Sequence, residues 1–230
     1  MKIKPTHLLW ALLTALTACA TDAYDSGDGS LSYLRADFVE ARTDADTNIV
    51  SVVTDRDEAL TLAYPVRTSW TATPDTTYRA LLYYNQIEGD DGVRRAEAVG
   101  LTQVYVPSVT PLAAVQGGKR TDPVTFESAW KSNNGKYINL GLYFKTGMTD
   151  GSYGSQIIGM TCDSIVTKPD GGRRTYLCLY HDQNGTPEYY SIQVYVSVAV
   201  SGLPILPETG DEVTVRVNTY DGMVERTFGF

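Results

Sequence analysis

From about residue 31 onward, apolar side chains fall at every second position, in runs rich in Val, Ile, Tyr and Thr. A period of two places alternate side chains on opposite faces of an extended strand, whereas a helix repeats near 3.6. No stretch beyond Cys19 keeps helical spacing for three turns. A first block predicts strands over 31–42, 48–54, 59–63, 77–88 and 93–106, broken by the turn formers Asp55-Arg56-Asp57-Glu58 and Gly89-Asp90-Asp91-Gly92. Five strands with a long first and last suit a small closed Greek-key barrel of the OB type. Between the third and fourth, 64–76 carries Pro65 and Pro74 and reads as a loop, with Trp70 closing the barrel end.

A second block predicts strands over 124–131, 136–145, 155–166, 173–181, 188–200, 212–219 and 223–230. Asn134-Gly135, Asp170-Gly171, Asn184-Gly185 and Asp221-Gly222 mark hairpins, because these pairs tolerate the positive φ angles that tight hairpin turns need. The expected fold class is therefore all-β: an N-terminal five-stranded OB-type barrel over 30–108, then an antiparallel β-sandwich over 122–230. Residues 107–123 read as an interdomain link. Asp122-Pro123 is also a legitimate helix opening, with room for one turn before Trp130.

The first 18 residues have another character. Lys2 and Lys4 precede the apolar run 8–16, which is too short to cross a bilayer and reads as a signal peptide. It ends in Leu16-Thr17-Ala18-Cys19, a match to the bacterial lipobox. That match implies cleavage before Cys19, a diacylglycerol on its sulfur and a third acyl chain on its amine in Gram-negative cells. Residues 19–29 are small and acidic, with Asp22, Asp25 and Asp28, and read as a flexible tether or as a surface-sorting label. The expectation is a lipoprotein held on the outer membrane, facing the periplasm or the cell surface.

Charge narrows the partners. The chain carries 19 Lys and Arg against 27 Asp and Glu, and two of the cations lie in the export segment. Such a balance disfavours nucleic acid, which is held by clustered cations. Beyond the export segment His181 is the only histidine, which rules out a multi-histidine metal site, and no cofactor is expected.

Several phrases carry a resemblance to a known family: SYLRADFVEA at 32–41, FESAWK at 126–131, KYINLGL at 136–142, LYHDQ at 179–183 and PEYY at 187–190. Across about 30–230 the chain resembles NigD-like lipoproteins. The resemblance implies an N-terminal OB domain and a C-terminal β-sandwich on a lipid anchor. The family takes its name from a bacteriocin operon and brings no established activity, catalytic residue or ligand.

Few constellations could carry chemistry. Cys162 and Cys178 lie eight residues either side of Asp170, so a hairpin symmetric about that residue would oppose them as a candidate disulfide. The alternative is two reduced, buried thiols, since one residue of slip flips a face. Cys178 and His181 fall on opposite strand faces, against a zinc site. Asp44, Asp46, Asn48 and Asp55 have the spacing of a calcium loop, but Ile49 stands where such a loop needs Gly, so a solvated bend is expected. His181-Asp182 lacks a Gly-x-Ser-x-Gly elbow and reads as a satisfied loop histidine. Among the aromatic residues, Trp70, Trp130, Tyr137, Tyr189 and Tyr190 are candidate binding positions, with packing as the competing role. The expected function is non-enzymatic: a membrane-anchored module binding a protein or glycan. The alternatives are a structural or immunity-like envelope component and a hydrolase of extracellular polymer.

Overall fold

The computed structural model describes residues 34–230 except Asp90 and Asp150; the export segment, Cys19 and the tether lie outside the described residues. Alternation produces strands from the start. In β1 (Arg35–Thr43) the side chains of Val39 and Ala41 are fully buried on one face, while Phe38 and Glu40 point to the other. β2 (Ile49–Thr54), β3 (Ala59–Val66), β4 (Thr77–Glu88) and β5 (Arg94–Gln103) join it in a closed barrel of order β1-β2-β3-β5-β4. A parallel contact at Leu62 and Ala96 closes the ring between β3 and β5. The barrel core is built from Val39, Ala41, Ile49, Val52, Leu60, Leu62, Ala80, Leu82, Tyr84 and Ala96. Burying each large side chain stabilises by about 1.5–3 kcal/mol before entropy is counted. Trp70 packs against this core from its loop, edge-on to Tyr78 at 5.7 Å.

The rest of the chain forms β6 (Val109–Pro111), β7 (Thr125–Lys131), β8 (Tyr137–Thr146), β9 (Met148–Thr149), β10 (Ser152–Tyr153), β11 (Ile157–Thr167), β12 (Arg173–Asp182), β13 (Tyr190–Ala199), β14 (Glu212–Thr219) and β15 (Gly222–Gly229). Two sheets face each other: five strands in the order β15-β14-β12-β11-β6, and three in the order β13-β8-β7. Ile138, Leu140, Leu142, Phe144, Met160, Leu177, Val196, Val198, Val213 and Val215 fill the space between them. Not every ladder is antiparallel. The chain leaves β12 for β13 in the other sheet and returns at β14, so β12 and β14 run parallel, as do β11 and β6.

Three local readings change. Residues 107–123 are not a bare link, because β6 supplies the edge strand beside β11. Asp122-Pro123 opens no helix: Thr121 and Val124 make isolated bridges to His181 and Thr219, and the Asp122 carboxylate accepts the Gln183 N–H at 2.7 Å, holding the segment extended. Cys162 and Cys178 are not bridged. Near the turn the β11–β12 hairpin is symmetric about Asp170, with Ser164 opposite Tyr176 and Thr167 opposite Arg173. A bulge at Asp163 then shifts the register by one, so Cys162 faces Leu177 and Cys178 faces Thr161. Lys119 and the Thr161 hydroxyl hold the bulge carboxylate at 2.6 and 2.8 Å. One thiol enters the sandwich core and the other points out beneath Lys119.

Candidate functional site at the lobe seam and the sandwich end

Arg35–Phe230 fold as a single unit, and the barrel packs on the part of the β13-β8-β7 sheet's outer face around Trp130, Asn139, Tyr195 and Ser197. The pattern along β8 shows how. Ile138, Leu140 and Leu142 face the sandwich core, which leaves Tyr137, Asn139 and Gly141 for the opposite face. On that face Trp130 and Tyr195 take Phe38 of β1 edge-on, at ring distances of 5.3 and 5.2 Å.

Arg79 lies at the centre of this seam, with its side chain 1% exposed. Its Nη1 and Nη2 each donate to an Asp55 carboxylate oxygen at 2.7 Å. Nε donates to Ser197 Oγ at 3.2 Å, and Nη2 also reaches Asn139 Oδ1 at 3.1 Å. Ser197 in turn donates to Asn139 Oδ1 at 2.6 Å, and Asn139 Nδ2 to Asp55 at 3.3 Å. The guanidinium plane lies 4.0 Å from the Tyr137 ring centre. Arg79 and Asp55 belong to the barrel, Asn139 and Ser197 to the sandwich, so the closed network ties the lobes together. A planar guanidinium can serve all these acceptors at once, which an ammonium cannot. Beside it the Tyr137 hydroxyl donates to Glu40 at 3.0 Å, and Lys136 pairs with the same carboxylate at 2.7 Å. Burial, followed by the Glu40 charge, pushes the Tyr137 phenol up to about 12.

The seam therefore accounts for Trp130 and Tyr137 as packing residues, and Trp70 is held against the barrel core. A groove of about 490 Å³ remains beside it, lined by Glu40, Lys136, Tyr137, Val200 and Leu206. His181 is 1% exposed on β12, not in a loop. Its Nδ1 lies 2.9 Å from the Asp122 carbonyl and its Nε2 3.0 Å from Gln156 Oε1, with Phe144 edge-on at 4.9 Å. Asp182 accepts the Asn184 N–H instead of facing the imidazole, so the two form no catalytic pair. The Asp44 carboxylate accepts the N–H groups of Asp46 and Asn48 at 2.9 Å, which makes that segment a self-bonded turn.

Tyr189 and Tyr190 are different. Both stand exposed where β13 begins, Tyr189 at 74%. The Tyr189 ring lies so close over Gly147 that a Cβ there would fall 2.7 Å from it and 3.0 Å from Pro187. Next to it Glu188 pairs with Lys145 at 3.3 Å and accepts the Tyr220 hydroxyl at 3.2 Å, while the Lys145 ammonium sits 4.1 Å over the Tyr220 ring. Gly147 and Tyr220 escaped the sequence reading. The available signal was a glycine directly after the strand of Lys145, opposite a Tyr-Tyr pair.

A closed five-stranded barrel seated on a β-sandwich, joined by a buried arginine, defines a class of two-lobed all-β proteins. Residues 112–230 match the family model described as the NigD-like C-terminal beta sandwich domain, and the chain belongs to this NigD-like family. No curated protein sequence matches the chain. Among solved structures, a NigD-like immunity protein from Bacteroides caccae ATCC 43185 is similar at 24% identity and a TM-score of 0.63, covering 85% of this chain and 92% of that one. A protein of unknown function from Bacteroides vulgatus ATCC 8482 has 15% identity and a TM-score of 0.61, covering 86% and 90%. A candidate lipoprotein from Bacteroides fragilis NCTC 9343 has 11% identity and a TM-score of 0.56, covering 85% and 96%. At these identities the likeness is one of fold.

Proposed function

We propose that this chain is a lipid-anchored protein of the Gram-negative envelope that works by binding a partner and not by catalysis. The observation that carries the reading is the export segment ending in Leu16-Thr17-Ala18-Cys19. Acyl chains on Cys19 hold the protein on the outer membrane, each buried CH₂ adding about 0.8 kcal/mol, and two or more chains make the attachment stable. The candidate lipoprotein among the structural neighbours supports an envelope setting. Binding is supported by where the reactive side chains are spent. His181, Asp55 and Glu40 are each engaged in internal hydrogen bonds, whereas Tyr189 stands 74% exposed at one end of the sandwich. The acidic balance turns the reading away from nucleic acid and toward a protein or glycan partner.

Growth with an alkyne-tagged palmitate should label the wild-type protein and leave Cys19→Ser unlabelled and soluble. Wild type free of lipid, or Cys19→Ser still in the membrane pellet, would overturn the anchor. Protease added to intact cells separates the two membrane faces. Capture from detergent-solubilised membranes, paired with a glycan array, tests the binding role, and silence from both would sink it. A second reading, an immunity-like envelope component, is supported by the description of the Bacteroides caccae neighbour. Sensitivity of a deletion strain to a bacteriocin that spares its parent would favour it.

A further inference from the structure

We propose that Tyr189, laid over Gly147 and flanked by Lys145, Glu188 and Tyr220, is a stacking platform for a neutral pyranose unit of a glycan. The proposal rests on the binding reading above and assigns it a site and a ligand class. Among the described tyrosines, Tyr64 on the barrel and Tyr189 on the sandwich are the most exposed, at 71% and 74%. Tyr189 is exposed, yet its ring is seated against Gly147 and Pro187. Its backbone N–H donates to Thr146 O at 2.9 Å, and its ring rests in a space that exists only because residue 147 lacks a Cβ. Pro187 closes the side of that seat. A ring held in place before the ligand arrives loses little freedom on binding, which favours affinity at a small site.

The neighbours suit a sugar. The C–H face of a pyranose is flat and apolar, and its rim is a ring of hydroxyls that both donate and accept. Lys145 has donors left over after its pair with Glu188, and the Glu188 carboxylate has lone pairs left over after Lys145 and Tyr220. Burial and then the Glu188 charge push the Tyr220 phenol up to about 12; its one proton goes to Glu188, which leaves the phenol oxygen as an acceptor for a sugar hydroxyl. Charge selects among ligands. The full chain carries a net −8, and in this patch the Lys145 ammonium pairs with Glu188 while the Asp122 carboxylate also acts on Tyr220, which leaves no surplus cation. A neutral saccharide meets no repulsion there, whereas an acidic polymer meets the field of the whole molecule without a surplus cation to receive it. The placement also fits the fold. The patch is built from the end of β8, the segment before β13 and the β14–β15 turn, and such loop clusters at one end of a sandwich commonly carry recognition.

The test is native affinity electrophoresis of the full-length protein in detergent, through gels cast with a soluble mannan, a β-glucan, a xylan, an amylopectin or anionic alginate. At least one neutral polysaccharide should retard the wild type. Tyr189→Ala should weaken that retardation about tenfold, equal to ~1.4 kcal/mol. Tyr189→Phe should keep it, because the hydroxyl is not the contact, and Gly147→Ala should weaken it by displacing the ring while leaving the melting temperature within a few degrees. Retardation by alginate alone, or retardation indifferent to Tyr189→Ala, would overturn the platform. If no polysaccharide acts but membrane capture yields a specific protein, the glycan site falls and the binding reading stands.

Discussion

Replacing Arg79 by Ala removes the one side chain that all four seam acceptors share. The substitution leaves the Asp55 carboxylate without its bidentate partner and withdraws a donor from Ser197 and Asn139. It also uncovers the Tyr137 face. Breaking a buried ion pair from one side costs about 3–5 kcal/mol, because the remaining charge stays desolvated. Asp55 keeps 16% side-chain exposure, so water relieves part of that penalty, and the expected loss is about 3 kcal/mol. With a urea m-value near the upper end of ~1–3 kcal/mol/M, the unfolding midpoint should fall by about 1 M. Tryptophan fluorescence is a suitable readout, because Trp70 sits in the barrel and Trp130 in the seam. Arg79→Lys should recover only part of the loss, since one ammonium cannot reproduce the fork. The decisive measurement is the double change Arg79→Ala/Asp55→Ala, which should be milder than the sum of its singles by about 2 kcal/mol. A single-mutant loss under ~1 kcal/mol, or additivity within ~0.5 kcal/mol, would refute the network as the joint between lobes.

Arg173 holds the Asp211 carboxyl down from its ordinary value near 3.9 to about 2. A carboxyl depressed in the folded state contributes stability above its unfolded pKa and loses it as pH falls toward the folded value. Urea midpoints should therefore drop between about pH 4 and pH 2, and Asp211→Asn should flatten that slope. Burial pushes both the Cys162 and Cys178 thiols up, so native protein near pH ~8 should resist alkylation and unreduced, unfolded protein should take an adduct at each; an intact bridge in the mass spectrum would contradict the bulge at Asp163. Gly172→Ala would place a methyl 2.5 Å from the Gly210 carbonyl oxygen and should cost about 1–3 kcal/mol by thermal or urea unfolding. Gly202→Ala meets open space and should change little by the same assay.

Strand identity was legible because each sheet has one face toward a core, and a buried face imposes alternation on local sequence. The run 212–219 matches β14 (Glu212–Thr219), and 77–88 matches β4 (Thr77–Glu88). Neighbourhood was not legible. The parallel contact of β12 with β14 joins segments separated by a whole strand in the other sheet, and neither sequence marks its partner. The bulge at Asp163 was equally silent, since the Lys119 ammonium that holds its carboxylate comes from 44 positions away. Arg79 is the only cation of its strand, and only the seam shows what it faces. Of the five aromatic candidates, Trp130 and Tyr137 looked the same in sequence as Tyr189 and Tyr190. Whether a second lobe covers an outward face is a property of the assembled fold.

Around Trp130, Asn139, Tyr195 and Ser197 the sheet of β13, β8 and β7 has no face to give to water, because one side is core and the other is seam. In shuffling experiments the boundary near residue 112 should then behave as a false seam. A sandwich transplanted without its barrel would display Trp130, Tyr137 and Tyr195 to solvent and clump. A sandwich joined to a foreign barrel would stay monodisperse only if the donor brought a guanidinium and a carboxylate to the positions Arg79 and Asp55 now fill.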